Sequence, residues 1–267
     1  MDEKGWPAFK VMVGRVVLQV ACERADLIDH FLERYAGFLT DHEAQMDIVV
    51  KPIRYGTPSG LLDIKPIFSD RVVKIDAPGY QGMVDLEQGI SEIRLPAQRL
   101  AEDAEYFIRM VAAVVVYHTG GLMVHAAGIA NGDQLYMFFG HSGSGKTTVS
   151  RNSPGKLVLN DDLLVLQREG NNWRVYSTPF WNPTQVKPLN LSGKLHALYK
   201  LVQDGQVSLE PVSPGMALAE FLTNIPVMNG DPGRSQELIE RCLAVINSVP
   251  VYHLHFLPDE SFWSVLN

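Results

Sequence analysis

Eight residues constrain this chain of 267 more than any others: Gly140-His141-Ser142-Gly143-Ser144-Gly145-Lys146-Thr147, set directly behind the apolar run Gln134–Phe139. They fit G-x-x-x-x-G-K-[ST] at every fixed position. Glycine carries no Cβ, so successive N–H groups can turn inward around phosphate oxygens. A helix opening near Lys146 would add unpaired N–H donors and the positive end of its dipole. In this pattern the lysine reaches the β- and γ-phosphates, and the Thr147 hydroxyl ligates Mg²⁺. The expected binding set is Gly140, Ser142, Gly143, Ser144, Gly145, Lys146, Thr147 and Thr148, and the expected ligands are ATP or GTP with Mg²⁺. The pattern demands a strand before the loop and a helix after it. The strand is evident, whereas Pro154 in "TTVSRNSPGKL" allows only a short helix.

Charge and composition narrow what such a loop can serve. Lys and Arg number 23 against 30 Asp and Glu, a net charge of −7, and no basic block occurs. A nucleic-acid partner held by phosphate neutralisation is therefore not expected. The most apolar run, "MVAAVVVY" (110–117), is far short of the roughly 20 residues that span a bilayer. "MDEKGW" also lacks a signal peptide's charged-then-apolar layout. No membrane partner and a cytoplasmic location follow as expectations. Cys22 and Cys242 have neither metal-ligand nor redox spacing and read as small core hydrophobes.

The first hundred residues read as a small α+β unit with a mostly antiparallel sheet, spanning 1–95. "FKVMVGRVVLQVAC" is a strand or hairpin. "RADLIDHFLERYAGFL" places Leu27, Ile28, Phe31, Leu32 and Tyr35 at helical spacing. "MDIVVKPI", "RVVKIDAP" and "SEIRLP" read as strands. From Pro96 the pattern lengthens into an α/β unit over 96–267. "AQRLAEDAEYFIRMVAAVVVYHTGG" is one long helix stopped by glycines, and Asn131-Gly132 marks a hairpin that feeds the phosphate loop. "KLVLNDDLLVL" is a strand interrupted by two acids, and "NNWRVYSTPFWNP" is a turn, strand and loop. "SPGMALAEFLTNI" and "RSQELIERCLAVINSV" are helices, and "PVYHLHFL" is a last strand.

Chemistry beyond the loop centres on Asp161-Asp162. A strand ending in Asp beside a phosphate loop is placed to steer Mg²⁺. Of two adjacent carboxylates, one can stay ionised near the metal while like-charge repulsion raises its neighbour's pKa, which suits a general base. Neighbours on a regular strand face opposite ways. Both acids reach a nucleotide only if the chain bends at 160–162; the competing reading is a solvated turn. His125 lies on the strand before the loop strand, flanked by "LMV" and "AAGI", a setting that suits a core histidine as well as a catalytic one.

Together, "MVHAAGI", "GHSGSGKTT", "LVLNDD", "STPFWNPT" and "VPVYHLHFLPDESFW" resemble the HPr kinase/phosphorylase superfamily, whose core is related to phosphoenolpyruvate carboxykinase. The likeness falls on the shorter HPr-kinase-like branch that includes lasso-peptide serine kinases, and it covers roughly Leu95 to the C-terminus. It implies a P-loop core with a mixed sheet, and an ATP-dependent, Mg²⁺-requiring transfer of the γ-phosphoryl to a serine or similar hydroxyl of a peptide, protein or small molecule. It implies contact of His125 with the acidic pair, Asp161 as the base, Asp162 helping Thr147 place Mg²⁺, and Lys146 on the phosphates. Related enzymes assemble into oligomers. No counterpart of that family's "IRGLGI"-like signature follows the acids, so the resemblance does not extend to recognition of HPr itself or to the reverse phosphorolysis.

Other readings differ in class. A nucleotide-gated binding module would use the same loop with weak or no transfer, as a partner in a peptide-modification or regulatory complex. A carboxykinase would need an arginine cluster for the acid, which is not evident. His141 reads as an exposed loop residue. His253 and His255, two apart on a strand, share a face but lack further metal-ligand signals. Arg234 could swing on a lid, and Trp181 could line a cleft.

Overall fold

The computed structural model describes residues 5–54, 60–132, 134–182 and 184–266. The opening tetrapeptide and Pro183 of the "FWNP" loop lie outside them. The chain forms two compact α/β units, Met1–Thr119 with Gly230–Gly233, and Gly120–Asn229 with Arg234–Asn267.

In the first unit, β1 (Ala8–Val13) and β2 (Val16–Cys22) form a hairpin that closes at Val13↔Val16. Helix α1 (Ala25–Arg34) then leads to β3 (Met46–Ile53). The strands β4 (Ile67–Phe68), β5 (Val72–Ala77), β6 (Tyr80–Asp85) and β7 (Ile90–Pro96) follow, and α2 (Leu100–His118) ends the unit. The seven strands run in the order β1-β2-β3-β7-β6-β5-β4. The outer pairs are antiparallel as expected, but β2–β3 and β3–β7 are parallel, so the sheet is mixed. Parallel neighbours need a crossover; α1 supplies one, and the β4–β6 meander separates the other pair in sequence.

Helix α2 is buried along its length, from Leu100 to Tyr117. A helix apolar on so much of its circumference must be covered by other elements, and β2, β3 and β7 cover it. The compact units consequently divide at 119/120, whereas the change of sequence pattern placed the boundary at 95/96. The same helix carries Asp103, which accepts from the Leu61 N–H at 3.1 Å and from the Tyr80 hydroxyl at 2.8 Å.

The second unit is built on one hairpin. β8 (Leu122–Asn131) and β9 (Gln134–Phe139) pair from Ala126↔Phe139 to Asn131↔Gln134. After the short helix α3 (Lys146–Arg151) come β10 (Leu157–Asn160), β11 (Leu163–Glu169) and β12 (Asn172–Ser177). β13 (Ser192–Gln203), β14 (Ser208–Pro211), α4 (Pro214–Leu222), α5 (Ser235–Ile246) and β15 (Val251–Phe256) complete the unit. β10 and β11 both pair antiparallel with β8, one with each half of it. Strand β13 lies parallel to both β9 and β15 and also meets β12. The pairings β8–β9–β13–β12–β11–β8 thus form a closed circuit.

A single apolar cluster supports the loop from beneath. Phe138, Tyr199, Leu254, Phe256 and Phe262 pack with Val149 of α3. The C-terminal 3₁₀ segment Glu260–Val265 buttresses the helix, as Trp263 Nε1 donates to Ser153 Oγ at 3.0 Å. On the opposite face Phe139 meets Phe221 of α4 edge-on at 5.5 Å. Among the described residues no helix is long and apolar enough to cross a membrane.

Candidate functional site

The glycine-rich loop leaves the C-terminal end of β9, in the parallel group β9–β13–β15. Two glycines are required by the geometry. Gly145 has φ +107°, and a Cβ there would meet the Phe256 ring at 2.4 Å. At Gly140 a Cβ would meet Ser144 Oγ at 2.7 Å. Neither position admits another residue without moving the loop.

The loop's cation is folded into its own main chain. Lys146, 6% exposed, donates from Nζ to Gly140 O at 2.8 Å and to His141 O at 3.1 Å. Burial lowers its pKa, and the charges of Asp162 and Asp161 oppose that fall. Thr147 and Thr148 are half-buried, Ser142 is exposed, and Ser144 is buried with its hydroxyl unpartnered.

The chain bends at the acids. Asn160, fully buried, turns its Oδ1 to the N–H of Asp162 at 2.8 Å and of Leu163 at 3.4 Å. Its Nδ2 donates to Thr178 O and Phe180 O, both at 2.9 Å. Ser177 Oγ donates to Leu159 O, and Thr178 Oγ1 to Leu163 O. The "STPF" segment therefore clamps the break between β10 and β11, and both acids turn inward. Asp161 is 0% and Asp162 7% exposed, so the solvated-turn alternative does not describe them.

The two acids have different company. His125 Nε2 lies 3.1 Å from Asp162 Oδ1. This contact follows from the pairing of β8, in which His125 faces Leu163 on one edge while Ala126 faces Phe139 on the other. Asp161 accepts from the Val186 N–H through Oδ2 at 3.4 Å, and its Oδ1 has no partner. Burial raises the Asp161 carboxyl above its usual range; bonding by the Thr147 hydroxyl and the Val186 N–H opposes the rise, and the Asp162 charge adds to it.

Lys146, Thr147, Asp161, Asp162 and His125 are thus brought together, and other candidates are not. His141 is exposed, its Nδ1 2.6 Å from Ser142 O. His253 pairs with Glu220 and His255 with Asp204, each at 2.8 Å. Among the described residues no group of three or more His, Cys, Asp and Glu could hold a metal ion. Arg234 is the N-cap residue of α5. A cavity of about 420 Å³ lined by Trp173, Lys194 and His196 opens at the other end of the parallel strands, away from the loop.

Several contributors carried no sequence signal. Asn160 sits one place before the acids and could have been suspected from the bend they require. Asn224, whose Oδ1 accepts from the Gly140 N–H at 3.2 Å, and Gln203, whose Nε2 donates to Gly143 O at 2.8 Å, belong to no motif.

No family model matches the chain, and no curated protein matches it. Among solved structures it is similar to the Hpr(Ser) kinase/phosphatase from Coxiella burnetii, at 15% identity over 45% of this chain and 87% of that one, with a TM-score of 0.25.

Proposed function

We propose that the second unit is an Mg²⁺-dependent phosphotransferase that passes the terminal phosphoryl of ATP or GTP to a hydroxyl, most simply a serine of a peptide or protein. One observation carries the reading: a phosphate-type loop with its lysine, a hydroxyl–carboxylate pair and a histidine-paired carboxylate converge at one strand end. A loop that only bound nucleotide would not need the His125–Asp162 pair.

The residues fit the ligands this reading requires. The loop glycines present main-chain N–H groups, and Lys146 Nζ already satisfies two carbonyls that phosphate oxygens could replace. Thr147 with Asp161 would hold Mg²⁺, since Asp161 is buried beside that hydroxyl with one oxygen unpartnered. The contacts thus favour the reverse of the division the resemblance implied, with Asp161 on the metal and Asp162 as the base. When bound, the metal would offset charge on the β- and γ-phosphates.

The acceptor oxygen forms a bond to the γ-phosphorus as the bond from that phosphorus to the β–γ bridging oxygen breaks. The hydroxyl proton passes to Asp162, which His125 orients, and the nucleoside diphosphate leaves. Lys146 and the loop N–H groups stabilise charge on the transferring group. Catalysis is then largely positioning and preorganised electrostatics.

The test combines calorimetry with γ-³²P-labelled nucleotide and hydroxyl acceptors. Asp162→Asn should lower transfer by about 10²–10⁴-fold and leave MgATP affinity near wild type. Asp161→Asn should instead abolish the Mg²⁺ dependence of binding. If neither MgATP nor MgGTP gives a heat of binding to the wild-type protein, the proposal fails.

A further inference from the structure

We infer that Asn224 is a positioning residue that sets the entrance of the phosphate loop against the histidine–acid pair, an inference that rests on the phosphotransferase reading. Asn224 lies just beyond α4 and is 4% exposed. Its side chain and main chain serve two different parts of the site. Through Oδ1 it accepts from the N–H of Gly140, the first loop glycine, at 3.2 Å. Through its carbonyl it accepts from the N–H of His125 at 2.7 Å.

The residue is itself held from behind. Its Nδ2 donates to Glu220 O at 2.9 Å and to Thr223 Oγ1 at 3.2 Å. The amide is thereby oriented with its oxygen toward the loop, which matches a donor at Gly140 and an acceptor at Glu220. β8 and β9 already pair at Ala126↔Phe139, one residue short of each contact. Asn224 extends that register past the end of the ladder, where Gly140 and His125 diverge to do different work.

The two links predict different consequences. The bond to His125 uses the main chain, so any residue at 224 can keep it. The bond to Gly140 needs a side-chain acceptor of this length. Truncation should therefore loosen the phosphate loop specifically and leave the His125–Asp162 contact in place. Thr223→Ser provides a control: it alters the same helix end yet keeps the hydroxyl that donates to Glu220 O at 2.7 Å and accepts from Asn224 Nδ2 at 3.2 Å.

MgATP affinity by calorimetry and the Gly140 amide resonance would be measured in wild type, Asn224→Ala, Asn224→Ser and Thr223→Ser. Asn224→Ala should raise Kd about tenfold, the scale of one buried hydrogen bond lost, and shift the Gly140 amide upfield. Asn224→Ser, which keeps a polar helix end but is too short to reach Gly140, carries the same expectation if the alanine variant does not fold. Thr223→Ser should stay within about twofold of wild type, as surface changes do. Unchanged affinity in both Asn224 variants overturns the inference, as does an equal loss in Thr223→Ser, which would mark a purely structural role. Absence of binding in the wild-type arm overturns the phosphotransferase reading, and this inference with it.

Discussion

Asp103 in the first unit and Asp161 in the second are both buried carboxylates, 1% and 0% exposed. Asp103 has a partner on each oxygen, the Leu61 N–H and the Tyr80 hydroxyl, with the Arg99 guanidinium 3.7 Å away. Burial, and then the bond to Asp103, push the Tyr80 hydroxyl up to about 12, so it remains a donor at any ordinary pH. Asp161 has the Thr147 hydroxyl, one long bond from the Val186 N–H, and an oxygen with no partner. A buried acceptor without a partner costs about 1–3 kcal/mol, and a fold that satisfies Asp103 fully has no architectural reason to leave Asp161 short. The first carboxylate pins a helix to a sheet. Under the proposed function, the open oxygen of the second would take Mg²⁺ as its partner.

Substitution can break this contrast. The largest stability effect should come from Asp103→Ala, which orphans the Tyr80 hydroxyl and the Leu61 N–H. At about 1–3 kcal/mol for each group, the urea midpoint should fall well below wild type, while MgATP affinity measured far below that midpoint is retained. Gly145→Ala should follow, because its Cβ collides with Phe256 at a φ of +107°. Overpacking of this kind costs about 1–3 kcal/mol, and nucleotide affinity should fall with it, as thermal melting and calorimetry would show.

Asp161→Asn should behave in the opposite sense to Asp103→Ala. Removing a poorly satisfied buried charge should leave stability within about 1 kcal/mol of wild type or raise it, while the Mg²⁺ dependence of nucleotide binding disappears. A destabilisation as large as that of Asp103→Ala would make Asp161 a second structural pin and erase the distinction. The smallest effect concerns the cysteines. Burial pushes the Cys242 thiol up to about 12 and raises that of Cys22, so neither should react with a disulfide reagent at pH 8 until the protein is denatured.

The site was readable in sequence to the extent that its parts are local. The strand, loop and short helix around Lys146 follow from apolar periodicity and glycine spacing. The interruption of "LVLNDDLLVL" announced a bend, and Asn160 makes it. The strand β13 was not readable. Its Leu195, Leu198 and Leu201 recur at helical spacing while Leu195, Ala197, Tyr199 and Leu201 alternate as in a strand, so periodicity gives no decision. Its pairing with β9 and β15 supplied the answer. The surroundings of the two acids were equally closed to local reading, because each has a neighbour that arrives from elsewhere: His125 for Asp162, Val186 for Asp161.

By itself the amino-acid order determined most of the elements, the conformations its glycines require and the residue types of the Gly140–Thr147 loop. Tertiary structure alone decided which unit claims α2, which strand stands beside the loop, and how Asn224 reaches Gly140 across 84 positions. The physical reason is one of range. Backbone preference and apolar spacing act between neighbours along the chain. A hydrogen bond between distant residues leaves no pattern near either of them, and it exists only once the core has packed.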